Sequence, residues 1–270
     1  MEWKNIYRGL FMGASDVVPG VSGGTIAVVL GIYDRLIAAI NGFFSKEWKK
    51  HFRFLFPLGL GIVFAIFTLS RLMDWLIQNH SIPTFFFFIG LILGVLPLLF
   101  REAEARHTFT IFHFILLLVG IIIVSSLLFI KEPDQSALIV DRTFSTYLLL
   151  FFSGMLASAA MILPGISGSL ILLIIGVYST VIHAISHLEI SVIAVTGVGI
   201  LFGIIFMSKI IHYFFYRFQT ATYAIIIGLV TGSIFVIFPG WPTYPFLLII
   251  TILAFTSGLF VAYILGKVEY

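Results

Sequence analysis

The sequence predicts an all-α polytopic membrane protein built as an inverted repeat, each half a re-entrant helical hairpin followed by three transmembrane helices. Three observations predict it. Of 270 residues, 60% are hydrophobic and 10% charged, against about 25% charged in soluble domains, and mean hydropathy is +1.16. A surface this apolar has to face lipid. The stretch GASDVVPGVSGGTIAVVLGIY at 13–33 returns as SAAMILPGISGSLILLIIGVY at 158–178. Finally, the Lys and Arg residues sort to one membrane face only if both stretches are hairpins.

A crossing needs about 20 apolar residues, and the elements follow from that length. The first repeat, 1–140, reads as hairpin 9–40 and spans 54–77, 84–100 and 108–130, with a polar turn from Gln78 to Pro83. The second, 141–270, reads as hairpin 145–186 and spans 190–214, 221–238 and 245–266. The polar segment Lys131 to Arg142 joins them. Between 9–40 and 154–185 there are 12 identities in 32 aligned positions. The match continues downstream: Gly59, Gly61 and Ile62 fall on Gly197, Gly199 and Ile200, and Ser70-Arg71 on Ser208-Lys209. Thr84, Gly90 and Gly94 likewise fall on Thr222, Gly228 and Gly232.

Charge decides between crossing and re-entry. With both blocks as hairpins, 12 of the 15 Lys and Arg lie on one face, and only Arg71, Lys131 and Arg142 lie at the other. Cytoplasmic loops carry the positive excess, so both termini are expected in the cytoplasm. The four Trp residues fall near interfaces, where amphipathic rings prefer to sit. Three spans is an odd number, so the second half is inserted upside down, a plan shared by many secondary transporters. No cleavable signal peptide is expected, because Asp16 and Pro19 interrupt the first apolar stretch early.

Each hairpin carries a Gly/Pro/Ser knot. Pro19 and Gly20 end the first arm and turn the chain, as Pro164 and Gly165 do in the second copy. Ser22, Gly23, Gly24 and Thr25 then open a new helix, as do Ser167, Gly168 and Ser169. Non-helical backbone at membrane depth survives only inside protein or beside water. Two helix N-termini with free N–H groups and hydroxyls suit an anion such as a phosphate or carboxylate. The competing reading is close helix packing through small residues. GVSGGT lacks the Lys of a nucleotide loop.

Few charges lie within the apolar blocks. Asp16 is either a coupling carboxylate, for a proton or cation, or a solvated carboxylate paired with a base. Its counterpart is Met161, so symmetry does not explain it. Arg71 and Lys209 either meet an anion from the two sides or snorkel to the interface. The seven His show no metal-ligand spacing and Cys is absent, so neither metal nor cofactor is expected. No Ser-His-Asp set or paired carboxylates point to an enzyme. The pI of 9.1 reflects cytoplasmic loops rather than nucleic acid.

DVVPGVSGGTIA with GIYDRLI, and ILPGISGSLILLIIGVY, resemble the bacterial polyprenyl-phosphate transporter family over essentially the whole chain. The resemblance implies a multi-pass protein of the bacterial cytoplasmic membrane. It would return undecaprenyl phosphate from the outer to the inner leaflet for cell-envelope synthesis. The implied partners are the lipid phosphate and the membrane, and a homo-oligomer stays open. Matched motif positions are Asp16, Pro19, Gly20, Ser22, Gly23, Gly24, Pro164, Gly165, Ser167 and Gly168, while Ser169 departs from Gly24. The residues alone leave two rivals: an ion-coupled carrier of a small organic anion, and an intramembrane enzyme acting on lipid phosphates.

Overall fold

The computed structural model describes residues 1–16, 22–43, 45–129, 139 and 143–269, without the side chains of 70, 71, 74, 186, 268 and 269. Every regular element among them is helical: α1 (Asn5–Asp16), α2 (Gly23–Val29), α3 (Tyr33–Gly42), α4 (Trp48–Glu102), α5 (Ala105–Thr108) and α6 (Ile111–Ser125), then α7 (Phe144–Ile162), α8 (Gly168–Ile175), α9 (Tyr178–Ser186), α10 (Ile190–Arg217), α11 (Gln219–Ile237) and α12 (Pro245–Glu269). Seven stretches among the described residues are long and apolar enough to cross a membrane: Trp48–Leu69, Trp75–Glu102, Ile111–Phe129, Phe144–Ile162, Ile190–Arg217, Gln219–Ile237 and Pro245–Lys267. The chain is a multi-pass membrane protein.

One sequence expectation needs correction. The polar turn from Gln78 to Pro83 is helical except at His80, whose φ of −138° breaks α4 into two limbs. Pro83 lies in the first turn of the second limb, where its missing N–H costs no bond. The stretch 145–186 holds three helices of unequal length. α7, with 19 residues, is about 28 Å long at 1.5 Å per residue, enough for a crossing by itself. α8 and α9 after it are short and bent by 113° at Gly176 and Val177. The corresponding first arm, α1, has only 12 residues.

Helices pair through glycines, and matched positions make matched contacts. Gly9 of α1 lies against the Leu58 carbonyl of α4, and Gly154 of α7 against the Thr196 carbonyl of α10. Gly61 meets the Ile6 carbonyl as Gly199 meets that of Phe151. The second limb of α4 packs on α12, with Gly90 at Phe255 and Gly258 at Phe87. Likewise α11 packs on α6, with Gly228 at Leu117 and Gly120 at Ile225. Backbone contact this close is the usual way membrane helices gain dispersion energy where lipid gives no hydrophobic drive. The main core lies around α2, α3, the second limb of α4 and α11, including Leu30, Ile37, Ile92 and Ile227.

Candidate functional site

The first knot is built from the end of α1 and the start of α2. Pro19 and Gly20 lie outside the described residues. Ser22 is extended (φ −118°, ψ 147°) and caps α2: its Oγ accepts from the Thr25 N–H at 3.2 Å. An N-cap serine satisfies one of the four orphan donors of a helix start. A second is taken by Asp16, whose Oδ1 accepts from the Gly23 N–H at 2.6 Å. The Asp16 carboxylate therefore lies where a bound anion would lie, and the field of the helix end favours it there. Gly23 keeps this approach open, since a Cβ would sit 2.8 Å from Oδ2. The whole of α2 is buried.

The second knot is buried at Pro164, Gly165 and Ser167, but the helix that follows it is not. Pro164 and Gly165 form its turn, with Gly165 at φ +88°. Ser167 precedes α8 in extended conformation but makes no side-chain cap. Its Oγ is instead 2.8 Å from Ser169 Oγ. None of the residues of α8 is fully buried, and Ser169 is exposed. Gly168 packs on α7, where a Cβ would lie 3.0 Å from the Ala157 carbonyl.

The two knots touch. The buried Gly165 N–H donates to Thr25 Oγ1 at 2.8 Å, across 140 positions of sequence. The Tyr33 hydroxyl donates to the Ile162 carbonyl at 3.0 Å, and Gly24 lies against the Met161 and Ile162 carbonyls. The Ile162 carbonyl at the end of α7 and the Gly165 amide of the turn after it thus find partners on α3 and α2. A cavity of about 250 Å³ lies beside this junction, with Asp16, Gly23, Gly24, Tyr33, Ser158 and Ile162 among its walls. Asp16 is its one charged group. Ser158, buried, donates to the Ile200 carbonyl at 2.9 Å.

The structure thus joins Asp16, Gly23, Gly24, Thr25 and Gly165, with Ser22 behind Thr25, Ser167 buried, Gly168 half-buried and Ser169 exposed. It does not bring Lys209 to the knots. That side chain is exposed on α10, outside the cavity wall, with no hydrogen bond or ion pair among the described residues. The Arg71 side chain lies outside the described residues. Sequence reasoning missed Tyr33 and Ser158. Tyr33 was visible as an identity shared by the two copies, and Ser158 as the polar residue at the place of Gly13. Among the described residues no three His, Asp or Glu side chains gather to hold a metal.

Over residues 12–247 the chain matches the VCA0040-like family, described as undecaprenyl phosphate translocase-like. The chain belongs to that family. It is 42% identical to the polyprenyl-phosphate transporter of Staphylococcus aureus (strain NCTC 8325 / PS 47), over 99% of this chain and 97% of that protein. It is 36% identical to the polyprenyl-phosphate transporter of Vibrio cholerae serotype O1, over 88% of this chain and 79% of that one. No solved structure matches.

Proposed function

We propose that the protein translocates polyprenyl phosphate, undecaprenyl phosphate in particular, across the bacterial cytoplasmic membrane, returning the carrier lipid from the outer to the inner leaflet for cell-envelope synthesis. The observation that carries this reading is the contact between the two knots, Gly165 N–H to Thr25 Oγ1, with a cavity beside it that Asp16, Gly23 and Gly24 of the first knot line, in a chain of this family. A lipid phosphate has a head that cannot cross hydrocarbon unaided and a chain that can stay in it. The protein has only to give the head a polar path, and it acts as a carrier rather than an enzyme.

The two halves are inverted, with re-entrant hairpins and both termini cytoplasmic. Matched glycine contacts in the two halves support a repeat, and the sorting of cations supports its inversion. The phosphate binds between the knots, at the first turns of α2 and α8. At α8 the amides of the first turn have no partner among the described residues. At α2 the head displaces the Asp16 carboxylate from the Gly23 amide, so anion binding and the charge on Asp16 oppose each other. Protonating Asp16 would favour loading, which couples the cycle to a proton. Arg71 and Lys209 meet the head at the two faces.

The test is transport by purified protein in liposomes, following undecaprenyl phosphate from one leaflet to the other by its accessibility to added phosphatase. Protein-dependent movement is expected. Folded protein that moves no lipid phosphate, or that moves a soluble organic anion instead, overturns the reading.

A further inference from the structure

Two apolar grooves outside the knots have the same walls. The first, about 450 Å³, is bounded by α6, α10 and α11, and its inner end reaches Tyr33 and Leu163, beside the junction of the knots. The second, about 410 Å³, is bounded by the two limbs of α4 and by α12. When α4 to α6 is laid on α10 to α12 in the register of the repeat, all nine residues of the second groove fall on residues of the first. Met73 falls on Ile211, Leu76 on Phe214 and Phe87 on Ile225. The helix break at one end of each is also matched, with φ −138° at His80 and −139° at Phe218. Even the threonines correspond: Thr84 donates to the His80 carbonyl at 2.7 Å and Thr222 to that of Phe218 at 2.9 Å. With those hydroxyls taken up by their own helices, the walls are apolar apart from Tyr33, whose hydroxyl is bonded to Ile162, in the first groove and His80 in the second.

An accidental packing gap has no reason to recur at matched positions whose side chains differ. Met against Ile, or Phe against Leu, changes the shape of a wall, yet an opening of similar size persists in both halves. We infer that the two grooves seat the isoprenoid chain of the lipid phosphate, one for each side of the membrane. This rests on the translocase reading. The choice of occupant follows from continuity: the first groove ends where the phosphate site begins, so a single molecule with an anionic head and an apolar chain fills both. In an inverted pair the grooves open toward opposite faces. The chain lies in the groove of α4 and α12 while the head is on the outer side, and in that of α6, α10 and α11 on the inner side.

Leu116 of the first groove corresponds to Ala254 of the second. Leu116→Trp and Ala254→Trp each fill one groove without touching a knot. Both variants and the unchanged protein are placed in liposomes and given undecaprenyl phosphate or farnesyl phosphate, which shares the head but has a short chain. The expected result is a loss of about tenfold or more in movement of the long lipid, with the short lipid unaffected. Leu116→Ala and Ala254→Gly, which enlarge the grooves, keep both rates. Equal slowing of both lipids by the Trp variants, or of neither, overturns the inference while leaving the translocase reading in place. A protein that moves neither lipid before substitution overturns the reading itself. A benzophenone placed at the far end of a polyprenyl phosphate should label residues of both grooves. Labelling no greater than that by a benzophenone phosphatidylcholine assigns the grooves to bulk lipid and also overturns the inference.

Discussion

The two knots share the pattern PGxSG and differ in almost everything around it. The first is sealed: every residue of α2 is buried, Ser22 and Asp16 take two of its first amides, and it touches α4, α7 and α12. The second is enclosed only at its turn: Pro164, Gly165 and Ser167 are buried, but α8 has no fully buried residue, Ser167 caps nothing, and the helix packs chiefly on α7 and α9. The short motif thus specifies a chain break and a new helix start, not an environment. The environment comes from flanking residues that the repeat does not share. Asp16 faces Met161 in the alignment, Gly24 faces Ser169, and Thr25 faces Leu170. Only the first copy has the carboxylate that fills its own helix end and the hydroxyl that receives an amide from the other copy.

That contrast can be broken where the knots are joined. Gly165→Ala should have the largest effect. Its φ of +88° disfavours an L residue by roughly 1–2 kcal/mol, and a Cβ there would lie 2.6 Å from the Leu229 carbonyl. The variant should lose folded yield in detergent and all transport, and a normal melting temperature would contradict the tight turn. Next comes Thr25→Val, which keeps the shape but leaves the buried Gly165 amide without its acceptor, at a cost of about 1–3 kcal/mol. A lower unfolding midpoint is expected.

A smaller effect separates the caps. Ser22→Ala removes the acceptor of the Thr25 amide and should cost about 1 kcal/mol. Ser167→Ala removes no cap bond, so it should leave the midpoint unchanged while slowing transport. Equal destabilisation by the two would mean that the knots are equivalent after all. The smallest expected structural change is Asp16→Asn, because an amide oxygen can still accept from Gly23. Its effect should appear in pH dependence: unchanged protein should transport faster as the external medium is acidified, and the variant should show a flat profile. A retained pH response would remove Asp16 from coupling.

Much of the fold was legible because lipid imposes simple rules. Spans such as 190–214 and 245–266 are long apolar runs, and Pro164 with Gly165 marks a break that no membrane helix makes without reason. The break at His80 was misread as a turn ending at Pro83 because proline is ambiguous between ending a helix and starting one. The unequal lengths of α7, α8 and α9 are not marked by composition, because the stretch 145–186 is predominantly apolar on both sides of its knot. The site was only half legible. Ser22 and Gly23 stood out by composition, whereas the bonds from Tyr33 to Ile162 and from Gly165 to Thr25 span 129 and 140 positions. No local pattern encodes contacts of that range. The match of Lys209 to Arg71 says nothing about which side of a helix faces the knots, and Lys209 lies outside the wall of the cavity beside them.

The most direct measurement uses the absence of cysteine from the chain. A single Ser169→Cys substitution places one thiol at the second knot, where the residue is exposed. Its reaction with a membrane-impermeant maleimide can be followed from either side of the membrane. The account predicts reaction from the extracytoplasmic side, slowed by undecaprenyl phosphate but not by uncharged undecaprenol. A rate indifferent to the phosphate, or equal protection by both lipids, would contradict a phosphate site at the meeting of the two knots.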